Sequence, residues 1–348
     1  MEHFGFLGVL RGKPKDEQVR AFIIRASKQL LVAMREATSG MGFDAILRSE
    51  FGELPAAGKL AYTICCLAVT AGAPGVYRRH LTPCLPDSEF RKGVLLNDQL
   101  RGVLVPANDS GTMLKPRHRL IAQWIANEVA PDALKQEATL AFLQQIASDI
   151  VPNEIKRRSP AYLAYRGMIN SERLFETFGG DMPTILGLYA ELHPFYKQDF
   201  LFWLQRGMAH ARDGQLDVAE NFLNQSINIY PNSHQTQHHL GIIYLMQASK
   251  SATPIAAQER AAEGIKILTT QIRERGDYDS YPYCAYLTHV MRWYQKAGNL
   301  IPPKNWEALR AIGREAAQKY PKDEVVKEAV SEVETAYLMR AVKKPPRT

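Results

Sequence analysis

Apolar side chains recur at every third or fourth position along most of this sequence. That spacing gathers them on one face of an α-helix. Helices are therefore predicted over 16–38, 43–51, 56–70, 88–101, 117–129 and 131–150, with a short one within 74–85. Prolines and glycines divide 151–200 into further short helices. The pattern predicts a mainly α fold.

The clearest strand signal lies between residues 103 and 114. Val103–Val105 and the pair Met113-Leu114 flank the turn sequence Pro106–Gly111, an arrangement typical of a β-hairpin. Three predicted helices and this hairpin fall within about 75 residues of one another. The sequence therefore predicts a winged helix-turn-helix domain at 55–130.

A repeat begins near residue 200, where Gly207 recurs as Gly241, 34 residues later. This is the period of a tetratricopeptide unit, in which glycine lets two helices approach closely and proline ends the second helix. The residues expected to pack the repeats are Trp203, Gly207, Ala219, Leu223, Pro231, Leu240, Gly241 and Tyr244. A tetratricopeptide-like α-solenoid is therefore predicted at 200–342, after the winged helix.

The later repeats follow the pattern less closely. A loop insertion is predicted at 249–255, before a helix over 257–275. A third helix pair is predicted at 283–296 and 305–320, and a last helix at 323–342 would close the stack. The remaining segments are a helical one at 1–54, a helical connector at 131–199 and a basic tail at 343–348.

Composition agrees with an ordinary globular protein, since 46% of the residues are hydrophobic and 23% are charged. The net charge of +7 comes mostly from residues 1–130 and permits contact with a polyanion without requiring one. Leu60–Tyr77 carries no charge, but Gly72 and Pro74 interrupt it, so a buried helix is expected rather than a membrane span. Four cysteines without a C-x-x-C pair predict reduced, buried thiols in a cytoplasmic protein.

No catalytic residues are predicted. The sequence Gly-Lys-Leu at 58–60 lacks the Ser or Thr of a phosphate-binding loop, so the chain is not expected to hydrolyse ATP by itself. His234 and His238 have the spacing of metal ligands, with His239 beside them, but no neighbouring acid or cysteine completes a set. They are expected to be surface polar residues, with no metal bound. His210 replaces an aromatic residue of the repeat and is expected to pack.

Arg117, His118 and Arg119 form the candidate binding constellation. They directly follow the hairpin, at the start of a predicted helix, where free N–H groups attract anions. Arginine side chains there would strengthen phosphate binding. The alternative is that the basic residues only border the hairpin, with His118 capped or packed in the core.

Segments of this sequence resemble, in this order, three parts of bacterial STAND-type NTPases. Gln29-Leu-Leu-Val-Ala-Met-Arg-Glu-Ala-Thr-Ser-Gly40 is similar to a segment after their nucleotide-binding domain. Lys115-Pro-Arg-His-Arg-Leu-Ile-Ala122 resembles the end of their winged-helix domain. Trp203–Gly207 and Ala219–Gln225 resemble the start of their helical repeats. The likeness covers most of the chain.

The resemblance implies that residues 1–54 end a nucleotide-binding module whose NTPase domain acts in cis or in trans. In the family, a histidine near the end of the winged helix touches the diphosphate of ADP. His118 occupies the comparable place, while Arg117 and Arg119 replace the Met and Asp of a related motif. The implied cofactor is ADP or ATP, bound only when the chain is joined to an NTPase domain.

The implied function is the regulatory and sensor part of a signalling NTPase in bacterial antiviral defence or stress response. The repeats would bind a protein trigger, and the winged helix would hold the NTPase core inactive until the trigger binds. The chain itself would then be the non-catalytic part of the enzyme.

Two alternatives stay open. The first is a DNA-binding transcriptional regulator with a tetratricopeptide sensor, whose recognition helix Ser88–Arg101 would carry Arg91, Lys92 and Arg101. This helix offers few side chains that read bases, which makes nucleic acid the less favoured partner. The second is a scaffold in which both domains bind only proteins. No membrane partner is expected.

Overall fold

The computed structural model describes residues 14–20, 43–85, 100 and 102–342. This part of the chain is mainly helical, which confirms the predicted mainly α fold. It divides into two compact units, Met1–Gly180 and Asp181–Thr348. The predicted helix over 88–101 (but for Leu100), most of the helix over 16–38 and the tail at 343–348 lie outside the described residues.

The described helices of the first unit are short except for two of 15 residues. They are α1 (Lys15–Arg20), α2 (Phe43–Gly52), α3 (Ala56–Thr70), α4 (Arg78–Leu81), α5 (Arg119–Trp124), α6 (Asp132–Ile146), α7 (Pro152–Arg157), α8 (Pro160–Met168) and α9 (Ser171–Thr177). Single turns of 3₁₀-helix follow α4 at Thr82–Cys84 and α6 at Ala147–Asp149, and a π-helical turn, Ile125–Val129, continues α5.

Helix α3 forms the centre of the first unit. Its apolar side chains are buried on nearly all sides, and it packs against α5, α6 and the small sheet described below. It begins after Pro55, and the chain turns away where Gly72 adopts a positive φ of 103°. The prediction of a buried helix here is confirmed. Among the described residues no helix combines the length and the apolar character needed to cross a membrane.

The sheet of the first unit has three short antiparallel strands. They are β1 (Val76–Tyr77), β2 (Leu104–Pro106) and β3 (Met113–Pro116), in the order β1–β3–β2. Val105 pairs with Lys115, and the predicted hairpin β2–β3 is confirmed. Strand β1 was not predicted, because two residues are too few to show the alternation of apolar and polar side chains that indicates a strand. Gly75 admits it to the sheet, since a Cβ there would lie 2.6 Å from the Leu114 carbonyl oxygen.

The second unit consists of longer helices joined by short connections. They are α10 (Met182–Tyr196), α11 (Phe200–Arg212), α12 (Leu216–Ile229), α13 (His234–Lys250), α14 (Pro254–Arg275), α15 (Tyr281–Ala297), α16 (Pro303–Lys319) and α17 (Glu324–Val342). A turn of 3₁₀-helix, Gly298–Leu300, follows α15. Helices α11 and α12 pack as one pair and α13 and α14 as the next.

Glycines set the contact within both helix pairs. A Cβ on Gly207 of α11 would lie 3.0 Å from the Leu223 side chain of α12, and one on Gly241 of α13 would lie 3.0 Å from Leu268 of α14. Tight crossing of this kind needs a residue without a side chain on one helix. Leu223 and Leu268 therefore occupy equivalent positions in the two pairs.

The predicted loop insertion at 249–255 is wrong in its form. Helix α13 continues to Lys250 and α14 begins at Pro254, so only three residues lie between them, as between α11 and α12. The extra residues lengthen the helices instead. Pro254 at the first helical position and the alanines that follow it favour helix over loop.

Candidate functional site

The described chain brings polar side chains together at several places, including a cleft of about 350 Å³ lined by Asp217, Gln247, Lys250 and Arg260. Two further places are suited to binding. One is the segment Arg117–Arg119 of the first unit, between β3 and the start of α5. The other is a cleft between α13 and α14 of the second unit.

His118 caps helix α5. It lies in extended backbone, with φ −153° and ψ 145°, and its Nδ1 accepts a hydrogen bond of 3.1 Å from the N–H of Leu120. A neutral imidazole carries one hydrogen, so this bond places that hydrogen on Nε2. The side chain is exposed rather than packed in the core. It can therefore donate from Nε2 to an acceptor such as a phosphate oxygen.

Arg117 is engaged within the first unit. Its guanidinium forms an ion pair with Glu50 of α2 and donates a hydrogen bond of 2.7 Å to the carbonyl oxygen of Gly102. The two charged side chains are 24% and 26% exposed, so the pair is largely screened from water. Arg119 is exposed and makes no ion pair with any described residue. His118 and Arg119 are thus the accessible members of the constellation.

We expect the change Glu50→Gln to lower the free energy of unfolding by about 1–2 kcal/mol, because it leaves a half-buried guanidinium without its counter-charge. Urea unfolding of the full chain measures this effect. Arg48→Gln is the matched control, since the Arg48–Asp44 pair lies on the same helix at 2.8 Å with side chains 51% and 47% exposed. It should cost less than about 0.5 kcal/mol. Equal effects of the two changes would show that burial does not matter here.

The predicted packing residue Trp203 lies in an aromatic cluster of the first helix pair. Its ring lies 5.5 Å from that of Phe222, and the Phe222 ring lies 4.9 Å from His210. The Arg206 guanidinium covers Phe222 at 4.3 Å, a cation–π contact. Burial lowers the pKa of His210, which agrees with the expectation that this residue packs.

The other predicted repeat residues divide by burial. Ala219, Leu223 and Leu240 are buried, as are the two glycines at the crossings. Tyr244 is half-buried, and Pro231 is exposed just beyond the end of α12. The carbonyl oxygen of Pro231 accepts a hydrogen bond of 2.8 Å from the Gln237 side chain.

A half-open cleft of about 340 Å³ lies between α13 and α14. It is lined by Gln237, Tyr244, Glu263, Lys266, Ile267, Thr270 and Gln271. Gln271 is buried and donates from Nε2 to Oε1 of Gln237 at 3.1 Å. Ile267 is half-buried, so the lining combines an apolar wall with amide and hydroxyl groups.

The expectation that the histidines of α13 are surface residues is wrong for His238, which is 4% exposed. Its ring packs against that of Tyr281, with centroids 4.6 Å apart and planes tilted by 33°, and its Nε2 has no hydrogen-bond partner. Burial lowers its pKa to about 3 and that of His239 to about 4. In the part of the chain that the structure describes, no three His, Cys, Asp or Glu residues are grouped to hold a metal ion.

All four cysteines are free, as predicted. Cys65, Cys66 and Cys284 are buried, and Cys84 is partly exposed. Burial raises the pKa of the Cys84 thiol to about 12 and those of Cys65 and Cys66 further still. These thiols are therefore protonated and poor nucleophiles at neutral pH.

Sequence reasoning missed Glu50 and, except for Tyr244, the residues that line the cleft. Glu50 stands 67 positions from Arg117, and nothing local to either residue signals their pairing. The cleft did leave a signal. The 34-residue period places Gln237 of α13 at the position that Trp203 has in α11, so a large side chain is replaced by a smaller one.

Comparison of this chain with protein-family models, with curated proteins and with solved structures gives no match in any of the three.

Proposed function

We propose that this chain is the regulatory and sensor portion of a STAND-type signalling NTPase that acts in the bacterial cytoplasm in antiviral defence or stress response. In this proposal the helix pairs of the second unit bind a protein trigger. The first unit holds an NTPase domain, in cis or in trans, in its ADP-bound state. Trigger binding then releases that contact.

The strand order of the first unit supports a winged-helix domain. A buried helix, α3, precedes β1, and the hairpin β2–β3 returns to pair with β1 in the order β1–β3–β2. This is the arrangement expected of a winged helix-turn-helix domain, in which the β2–β3 hairpin is the wing. Winged helices serve both as DNA readers and as internal regulatory domains, so the second unit decides between these uses.

The observation that carries the proposal is the repeated glycine crossing of the second unit. Gly207 against Leu223 and Gly241 against Leu268 are the same contact in successive helix pairs, which supports a tetratricopeptide-like solenoid. Stacked helix pairs offer an extended surface for a protein ligand. Both units therefore support the hypothesis that the chain is a sensor of a protein trigger.

The nucleotide contact is assigned to His118 and Arg119, with Arg117 as the residue that fixes their position. The Nε2–H of His118 is a suitable donor to a diphosphate oxygen, and Arg119 brings an uncompensated positive charge. Arg117, bound to Glu50, anchors the segment on α2. We propose that hydrolysis itself belongs to the NTPase domain.

The test is to combine the chain with the NTPase domain that this proposal requires, fused before it or added as a separate protein, and to measure the ADP retained through purification. We expect about one ADP per chain in the wild type and at least about tenfold lower retention in His118→Ala. His234→Ala is the control, because His234 lies at the surface of the second unit. Full ADP retention in His118→Ala would refute the assigned contact.

DNA binding is the competing outcome. If the isolated chain binds duplex DNA with an affinity that falls steeply as salt is raised, the transcriptional-regulator alternative gains and the proposal fails. The proposal expects no such affinity at physiological salt.

A further inference from the structure

The two helix pairs differ in the residues that pack beside the glycine crossing. Trp203 of α11 and Gln237 of α13 each lie four residues before the crossing glycine, and Phe222 and Ile267 each lie one residue before the leucine that contacts it. In the first pair, the Trp203 ring packs against Phe222 and fills this position. In the second pair both rings are absent, and the cleft lies there.

The Gln237 side chain does not fill the space that an indole fills in the first pair. Its Nε2 donates to the Pro231 carbonyl oxygen at 2.8 Å, and its Oε1 accepts from Gln271 at 3.1 Å. Both ends of the amide are therefore held by the chain. What is left is a cleft of about 340 Å³, at the lower end of the roughly 300–1,000 Å³ typical of ligand pockets. It has room for a single ring system.

The walls of the cleft suit an aromatic ring. Ile267 gives an apolar surface, and the Tyr244 ring lies under the Arg260 guanidinium at 4.9 Å. In the first pair a guanidinium covers Phe222 in a similar way. The Thr270 hydroxyl makes no hydrogen bond to any residue that the structure describes, so it can accept from an indole N–H.

The rim of the cleft carries a positive charge without a partner. The single positive charge of Arg260 is shared between Glu220 at 3.2 Å and Glu263 at 3.5 Å. Lys266 is exposed and forms no ion pair or hydrogen bond within the described chain. A ligand with a carboxylate next to its ring would therefore pair with Lys266.

We propose that this cleft binds a tryptophan side chain of a protein partner, next to an acidic residue of that partner. The internal precedent is Trp203, a tryptophan that occupies the equivalent position from within the chain. Aromatic side chains that enter a desolvated cleft contribute strongly to protein interfaces. Naming this partner as the trigger rests on the proposed function, whereas the cleft and its ligand chemistry do not.

The test uses the full chain and the blocked dipeptide acetyl-Asp-Trp-amide, with binding followed by saturation-transfer NMR and calorimetry. We expect saturable binding centred on the indole ring. Acetyl-Asp-Ala-amide should not bind, and acetyl-Lys-Trp-amide should bind about fivefold more weakly because it opposes Lys266. Equal signals from the Trp and Ala peptides would overturn the proposal.

Filling the cleft from within is the decisive variant. Gln237→Trp places an indole where Trp203 has one and should weaken binding of acetyl-Asp-Trp-amide at least about tenfold. Gln235→Trp is the matched control, because Gln235 is an exposed glutamine on the same helix, and it should leave binding unchanged. Thermal unfolding confirms that both variants fold. Wild-type affinity in a folded Gln237→Trp variant would overturn the proposal.

A second variant, Lys266→Glu, tests the acidic neighbour without disturbing the packing of the core. Lys266→Glu changes only an exposed residue and should reverse the preference between the Asp-Trp and Lys-Trp peptides. An unchanged preference would overturn the assigned acidic neighbour. These measurements involve no nucleotide, so their failure is separate from that of the ADP test, which probes the first unit.

Discussion

The free energy of unfolding should fall steeply between pH 7 and pH 5, because three histidines of the second unit stay neutral when folded. Burial lowers the pKa of His238 to about 3 and those of His239 and His289 to about 4. Neighbouring positive charges lower these pKa values further. The imidazoles of His239 and His289 act on His238, and the Arg292 guanidinium acts on His289. In the unfolded chain each would titrate near 6.5.

The direction follows from proton linkage. Each histidine has a lower pKa folded than unfolded, so the unfolded state binds more protons below pH 6.5. Stability is therefore complete above about pH 6.5 and is lost as the pH falls towards 4. At pH 5 each independent imidazole would cost about 2 kcal/mol. Burial lowers the pKa of His80 and His210 as well, which adds to the loss with the same sign.

Urea unfolding at pH 7.5, 6.5, 5.5 and 5.0 measures this loss. His238→Phe keeps a ring against Tyr281 and removes an imidazole whose Nε2 is unpaired, so it should reduce the pH dependence without lowering stability at pH 7.5. His234→Gln changes an exposed histidine near Glu274 and should leave the dependence as it is. The same slope in His238→Phe and the wild type would contradict the role of burial.

The change Gly167→Ala should destabilise the first unit by about 3 kcal/mol, at the upper end of the usual cost of overpacking. A Cβ at this position of α8 would lie 2.1 Å from the carbonyl oxygen of Ala71, at the end of α3. It would also lie 2.7 Å from the Ala71 Cβ. Two backbone segments must separate to admit the methyl group, and no side chain can rotate away to relieve the clash.

Gly187→Ala is the control for this change. Gly187 lies inside α10, and a Cβ there would meet no atom within 4 Å. Alanine favours helix over glycine by up to about 1 kcal/mol, so this variant should be more stable than the wild type. Urea unfolding of both variants decides the matter. Loss of stability in both would mean that glycine is needed for some reason other than space.

Much of the secondary structure could be predicted because it depends on local spacing. The charge-free segment that became α3 and the turn between β2 and β3 are confirmed, and both show their character within a few residues. The close helix approach at Gly207 and Gly241 could be predicted from their 34-residue spacing. Leu268 could not, because that spacing places Ala257 at the position equivalent to Leu223. His210 could be assigned to packing because it stands where the repeat pattern has an aromatic residue, and its ring does pack against Phe222.

What could not be predicted depends on distant residues. The burial of His238 follows from Tyr281, which is 43 positions away on another helix pair. Strand β1 exists only because β3 lies beside it, and the Arg117–Glu50 pair joins residues far apart in sequence. In the sequence the cleft is indicated only by Gln237, which stands where the first helix pair has Trp203. It can be recognised only by comparing the two helix pairs.

The lengthening of the second helix pair keeps its helical phase. Sixteen residues separate Gly207 from Leu223, and 27 separate Gly241 from Leu268. With three residues in each connection, four of the eleven extra residues fall in α13 and seven in α14. Four and seven residues are close to one and two helical turns, or about 6 and 10 Å of added length. Growth by whole turns extends a helix without rotating its faces, so Lys250 can reach the Gly214 carbonyl oxygen at 3.4 Å while the glycine crossing below is undisturbed.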